Sequence, residues 1–118
     1  MEKIPVNAQQ RDLLLMPFPY SDLSGSKVRP VLVVSNNKFN NSSGDLIVCG
    51  VTSNISKDFY TVLLEKNGLE TGKLFEDCCI KVKNIAKIDK LKIIKKIGKV
   101  GEQDFSQVLL KLDAIFHP

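Results

Sequence analysis

The chain has 118 residues, a formal net charge of +4, 43% hydrophobic and 25% charged residues, which is the composition of one ordinary globular domain. That excludes a disordered tail, a collagen-like chain and a coiled coil, and no apolar run approaches the roughly 20 residues of a membrane helix. The opening Met1-Glu2-Lys3-Ile4-Pro5 lacks the basic-then-apolar pattern of a signal peptide, so a soluble cytoplasmic protein is expected.

No repeat or linker divides the chain, and residues 1–118 are read as a single domain. Residues 12–16, Asp-Leu-Leu-Leu-Met, predict a short buried strand with a sharp exit at Pro17-Phe18-Pro19. Residues 20–28 are rich in turn formers and predict a polar loop. Val31-Leu32-Val33-Val34-Ser35 reads as a β-branched strand, with Pro30 fitting only at its start or at an edge because proline has no ladder donor. The Asn- and Ser-heavy stretch from Asn36 to Gly44 reads as a loop. Residues 45–52 predict a central strand in which Gly50 marks a bulge or tight bend. Further strands are expected over 60–64, over about 79–88 with one irregularity, and near 93–97, with turn chemistry from Lys66 to Gly72.

The C-terminus has a different period. Phe105, Val108, Leu109, Leu112 and Phe116 share one helical face. Glu102 and Asp104 sit in the first turn, where the helix dipole favours acids, and Gly101 is the expected N-cap. A helix over about 102–116 follows. The fold class is therefore mainly β (α+β): five to seven short strands in a small, strongly bent sheet or barrel, with a C-terminal α-helix.

The reactive side chains narrow the chemistry. Cys49, Cys78 and Cys79 are odd in number and form no CxxC, and no internal histidine completes a zinc set. Neither a metal site nor a disulfide framework is expected, and Cys49 with one of Cys78/Cys79 reads as core. His117 lies at the C-terminal end, a poor place for a general acid or base. Ser-His-Asp, Cys-His and two-histidine nuclease mechanisms are thus out of reach of the folded body. Residues 81–99 carry eight lysines against Asp89 alone, a net +7 that exceeds the charge of the whole chain. Such a stretch attracts polyanions or forms a solvated face.

The run from Asp12 to Pro19, then Ser21 to Ser35 with Arg29-Pro30 leading a strand, resembles the opening of the MazF/PemK (Kid-like) toxins. Val51-Thr52-Ser53 is similar to the family's Thr-Ser after its third strand. Ile88-Asp89-Lys90 and Lys95-Lys96-Ile97-Gly98-Lys99 are similar to its late stretch before a closing helix. The resemblance covers about residues 10–116. It departs at Arg11, where the family usually has a glycine that serves a tight turn or a close RNA approach.

The resemblance implies an SH3-like barrel and a homodimeric endoribonuclease toxin of a type II toxin–antitoxin system, with a cognate antitoxin and no membrane partner. The implied reaction uses no cofactor or metal. It cuts single-stranded RNA at a short motif through 2′-OH attack, leaving 2′,3′-cyclic phosphate and 5′-OH ends. Because the nucleophile belongs to the substrate, the protein must only move protons and stabilise phosphoryl charge. Arg29, whose guanidinium forks onto phosphate oxygens, and Thr52, a neutral hydroxyl donor, are the catalytic candidates. Ser53 and Lys27 are candidate phosphate contacts. Phe18 and Tyr20 are candidate base-stacking residues, with a core role open for Phe18. Asp12 or Asp22 would serve as general base if the fold brought one near Arg29. Two other readings stay open: a CcdB-like barrel that acts by protein contact, and a relative that binds RNA without cutting it.

Overall fold

The computed structural model describes residues 7–19 and 26–118. Among these described residues, seven strands run in the order β1 (Asp12–Pro19), β2 (Ser26–Val33), β3 (Asp45–Thr52), β4 (Thr61–Leu64), β5 (Thr71–Gly72), β6 (Cys78–Asp89) and β7 (Lys95–Lys99). Helix α1 (Asn37–Ser42) joins β2 to β3, a 3₁₀ turn (Lys90–Lys92) joins β6 to β7, and α2 (Glu102–Phe116) closes the chain. The strands form one antiparallel sheet of order β4-β6-β3-β2-β1-β7-β5, curled into a half-barrel.

Alternation along the strands sends side chains to two faces, and each face has its own core. Leu13, Leu32, Cys49, Val51, Ile80 and Val82 pack with Phe105 and Val108 of α2. Leu14, Met16, Phe18, Val31, Val33, Leu46 and Val48 pack on the opposite face with Ile88 and Ile93. The helix forms over the expected residues, but its stripe is narrower than the spacing suggests. Phe105 and Val108 are buried and Leu112 and Ile115 pack beside them, whereas Leu109 and Phe116 are exposed. Lys111 fastens α2 to the sheet edge, donating to the Thr61 carbonyl at 2.9 Å.

Several sequence expectations are corrected. β1 does not exit at residue 17; it continues through Pro17-Phe18-Pro19. The Ile94 N–H donates to the Leu15 carbonyl at 2.8 Å, so the polar groups of Leu15 face β7, and by alternation those of residues 17 and 19 do too. β7 pairs β1 only from Asp12 to Leu15. The missing proline donors thus fall where no strand needs them. Residues 36–44 are not all loop: the Asn36 side chain accepts from the Phe39 N–H at 2.9 Å and caps α1. Buried Asn40 then ties α1 to β3, bonding Ser35, whose hydroxyl accepts from the Ile47 N–H at 3.1 Å. The 66–72 turn contains β5, where Gly72 (φ +75°) and Gly98 meet so closely that a Cβ on either would lie 2.3 Å from a carbonyl oxygen. The strand expected near 93–97 runs from Lys95 to Lys99.

Arg11 has φ +79°, the left-handed region that glycine occupies at ease and other residues at a cost of about 1 kcal/mol or more. Its backbone explains the demand: Arg11 N–H donates to Val33 O at 3.0 Å while its carbonyl accepts from Val100 N–H at 2.9 Å. The side chain offsets the strain by bonding the Glu70 carboxylate and the Val100 carbonyl, each at 3.2 Å. The position is a tight turn at the root of β1.

All three cysteines are buried and free. Burial pushes the Cys49 thiol up to about 12. The Cys78 thiol is also raised, by burial first and then by Glu76, Cys79 and Asp77. At pH 8 the native protein should leave Cys49 and Cys78 unmodified by iodoacetamide, with full labelling only in denaturant, as read by intact mass. Because the folded thiols hold their protons when unfolded ones would lose them, these groups lower stability as pH climbs above about 9.

Candidate active site

The site arises where β2 and β3 part. The Val33 carbonyl faces β1, since it accepts from Arg11, and the Val34 N–H donates to Ile47 O at 2.9 Å in β3. By alternation Pro30 faces β3. Proline has no N–H, so the Val51 carbonyl receives no bond from residue 30, and the paired rows end at Val31↔Gly50. Two residues further along the same register, Arg29 stands opposite Thr52. The strands diverge there, and a groove of about 500 Å³ opens, lined by Arg29, Thr52, Phe18, Asn54, Lys81 and Lys83 among others.

The floor is built by Phe18 and Gly50. Phe18 is only 9% exposed and belongs to the second core, yet it also lines the groove. A Cβ on Gly50 would sit 3.3 Å from its ring. Thr52 is held by a local turn, its Oγ1 accepting from the Asn54 N–H at 3.1 Å. The β6 wall owes its shape to an irregularity: Cys49 pairs Ile85 while Gly50 pairs Lys81. Val82, Lys83 and Asn84 are therefore extra on β6, and the bulge brings Lys83 and Asn84 to the groove. Lys81 Nζ donates to Ser56 Oγ at 2.7 Å, and Lys83 Nζ lies 5.8 Å from the Tyr60 ring centre.

The structure thus brings together Arg29, Thr52 and Phe18. It places Ser53 just beyond β3, exposed and outside the groove lining, with Asn54 lining the groove instead. Lys27 is exposed on β2 opposite Phe18 and also outside the lining. Tyr20 and Asp22 lie outside the described residues. Residues 26–28, expected in the loop, belong to β2. Asp12 is unsuited to serve as base at Arg29: it lies four residues along β1 from Met16, the partner of Arg29. Its carboxylate is buried, 3.0 Å from Lys96 Nζ and bonded to the Gln9 N–H. Of the lysines in 81–99, Lys81 and Lys83 line the groove. Lys96 serves Asp12, Lys90 bonds the Asn40 carbonyl, and Lys87 sits 3.9 Å from Asp45.

Sequence reading missed Asn54 and Asn84; Asn84 becomes a wall residue only through the bulge. Among the described residues, no three His, Cys, Asp or Glu side chains cluster in a way that could hold a metal ion, and no helix is long and apolar enough to cross a membrane.

Known structures share this architecture. A MazF from Deinococcus radiodurans superposes with a TM-score of 0.76 at 18% identity, covering 96% of this chain and 99% of that one. A mycobacterial endoribonuclease in complex with its cognate antitoxin superposes with a TM-score of 0.75 at 18% identity, covering 95% and 98%. A second mycobacterial endoribonuclease gives 0.73 at 17% identity, covering 95% and 93%. At such identities the likeness is one of fold. No curated protein matches by sequence. The profile of the PemK-like, MazF-like toxins does match, over residues 9–116, nearly the whole chain including both walls of the groove. The chain belongs to the PemK-like, MazF-like toxins of type II toxin–antitoxin systems.

Proposed function

We propose that the protein is the endoribonuclease toxin of such a system, cutting single-stranded RNA at a short sequence motif without a metal ion. The observation that carries this reading is the groove at the parted ends of β2 and β3, where Arg29 and Thr52 converge beside Lys81 and Lys83. An arginine, a neutral hydroxyl and two ammonium groups form a pocket for a phosphodiester. Phe18 offers an apolar surface for a base at its edge.

The substrate's 2′-OH attacks the adjacent phosphorus, and the 5′ oxygen departs. Arg29 neutralises the charge that builds on the non-bridging oxygens, with its two-pronged N–H geometry matched to them. Thr52 adds a hydroxyl donor without adding charge. The products are a 2′,3′-cyclic phosphate and a 5′-hydroxyl. The protein acts as a homodimer, and a cognate antitoxin blocks the groove; the fold it shares with an antitoxin-bound endoribonuclease supports that partner.

Purified protein incubated in EDTA with a sequence-diverse single-stranded RNA should cut at a recurrent motif, with ends mapping as cyclic phosphate and 5′-hydroxyl. Linear 3′-phosphate formed directly, or cleavage only after a divalent cation is added, would overturn the mechanism.

A further inference from the structure

A second hollow of about 360 Å³ lies beside the groove, lined by Ile55, Ser56, Asp58, Thr61, Leu63 and Cys79 among others. It adjoins the groove through neighbouring residues. Cys79 is the strand partner of Thr52 across β3 and β6. Lys81, a groove residue, bonds Ser56 on the hollow's rim, and Asn54 of the groove is followed directly by Ile55 of the hollow.

Two of its walls are apolar side chains left in solvent: Ile55 is 40% and Leu63 51% exposed. Its polar groups are already fixed. The Thr61 hydroxyl lies 3.0 Å from the carbonyls of both Ser56 and Asp58, and the Asp58 carboxylate accepts from the Tyr60 N–H at 2.7 Å. The loop that shapes the hollow is therefore held before anything binds, which lowers the ordering cost of a ligand.

We infer that this hollow is a nucleobase subsite, taking the base of a nucleotide that flanks the phosphodiester held between Arg29 and Thr52. The inference rests on the ribonuclease reading above. A base is a flat apolar body with polar edges. Ile55 and Leu63 supply contact for its faces, while Ser56 and Asp58 supply hydrogen-bonding groups at the rim. A strand whose phosphate lies against Lys81 has its neighbouring base within reach of this wall. The hollow thus sets sequence preference at one position beside the cut, whereas Arg29, Thr52 and the lysines act on every phosphate alike.

The test is a randomised RNA pool cut by the wild type, by Ile55→Ala, by Leu63→Ala and by the size-conserving Leu63→Met, with the ends sequenced. Both alanine variants remove exposed side chains, so folding is retained and is checked by thermal melting. The expected result is a loss of about tenfold in base preference at one position flanking the cut, unchanged preferences elsewhere, and recovery in Leu63→Met. Cleavage by the wild type with identical preferences in both alanine variants overturns the inference alone. Identical preferences combined with weakened antitoxin binding overturn it in favour of a protein contact. A wild type that cuts no RNA in the pool overturns the ribonuclease reading and this inference together.

Discussion

Arg29→Ala should lower the cleavage rate of single-stranded RNA by about 10²–10³, the usual cost of removing one preorganised donor from a site of developing negative charge. The geometry accounts for the size. Arg29 is half-buried at the end of the row that holds Val31 and Val33, so its charge works against protein on one side and not against bulk water alone. The loss should appear in kcat, because the charge on the phosphoryl oxygens is greatest in the transition state. Arg29→Lys should recover only part of the rate, since an ammonium restores the charge and not the planar fork. Single-turnover kinetics at saturating RNA would separate these contributions. A variant that cuts at the wild-type rate would remove Arg29 from the mechanism.

Asp12→Ala should destabilise the fold by about 2 kcal/mol. Breaking a buried ion pair from one side costs about 3–5 kcal/mol where the other charge is stranded in the interior. Here Lys96 is 41% exposed and can turn to water, which reduces the figure. The lost hydrogen bond from the Gln9 N–H contributes a further part. Urea unfolding should show a lower midpoint with an unchanged slope. Folded Asp12→Ala protein should keep its RNA cleavage, because the carboxylate lies away from the groove; loss of activity in folded protein would reinstate Asp12 as a functional group.

The contrast between these two residues shows what the sequence made legible. Periodicity located α2 and the central strand, since Phe105 and Val108 at helical spacing and a β-branched run over 45–52 each admit one regular structure. Arg29 and Thr52 carried little signal alone, and became candidates through the family pattern in which they occur. Asp12 looked equally available as a base, because nothing local reveals that Lys96, 84 positions later, reaches back to it. The prolines of β1 misled for the same reason. They break a strand only where a neighbour requires their donor, and the extent of β7 pairing is a property of the assembled sheet. Helix α1 was hidden by composition: asparagine and serine favour loops, yet Asn36 works as a cap because its side chain reaches the Phe39 N–H. Lys83 and Asn84 owe their place in the site to a register slip on β6, which depends on the partner strand and leaves no mark in their own segment.

The proline that ends the β2–β3 ladder has a kinetic consequence. A cleft formed between two fully paired strands would have to be unzipped, and each encounter with a ligand would wait on local unfolding. Here residue 30 has no N–H to give the Val51 carbonyl, so among the described residues the β2–β3 pairing stops at Val31↔Gly50, short of Arg29 and Thr52. A polyanion drawn in by Lys81 and Lys83, which line the groove, should therefore bind at a rate that falls as ionic strength rises, which stopped-flow mixing at graded salt would read.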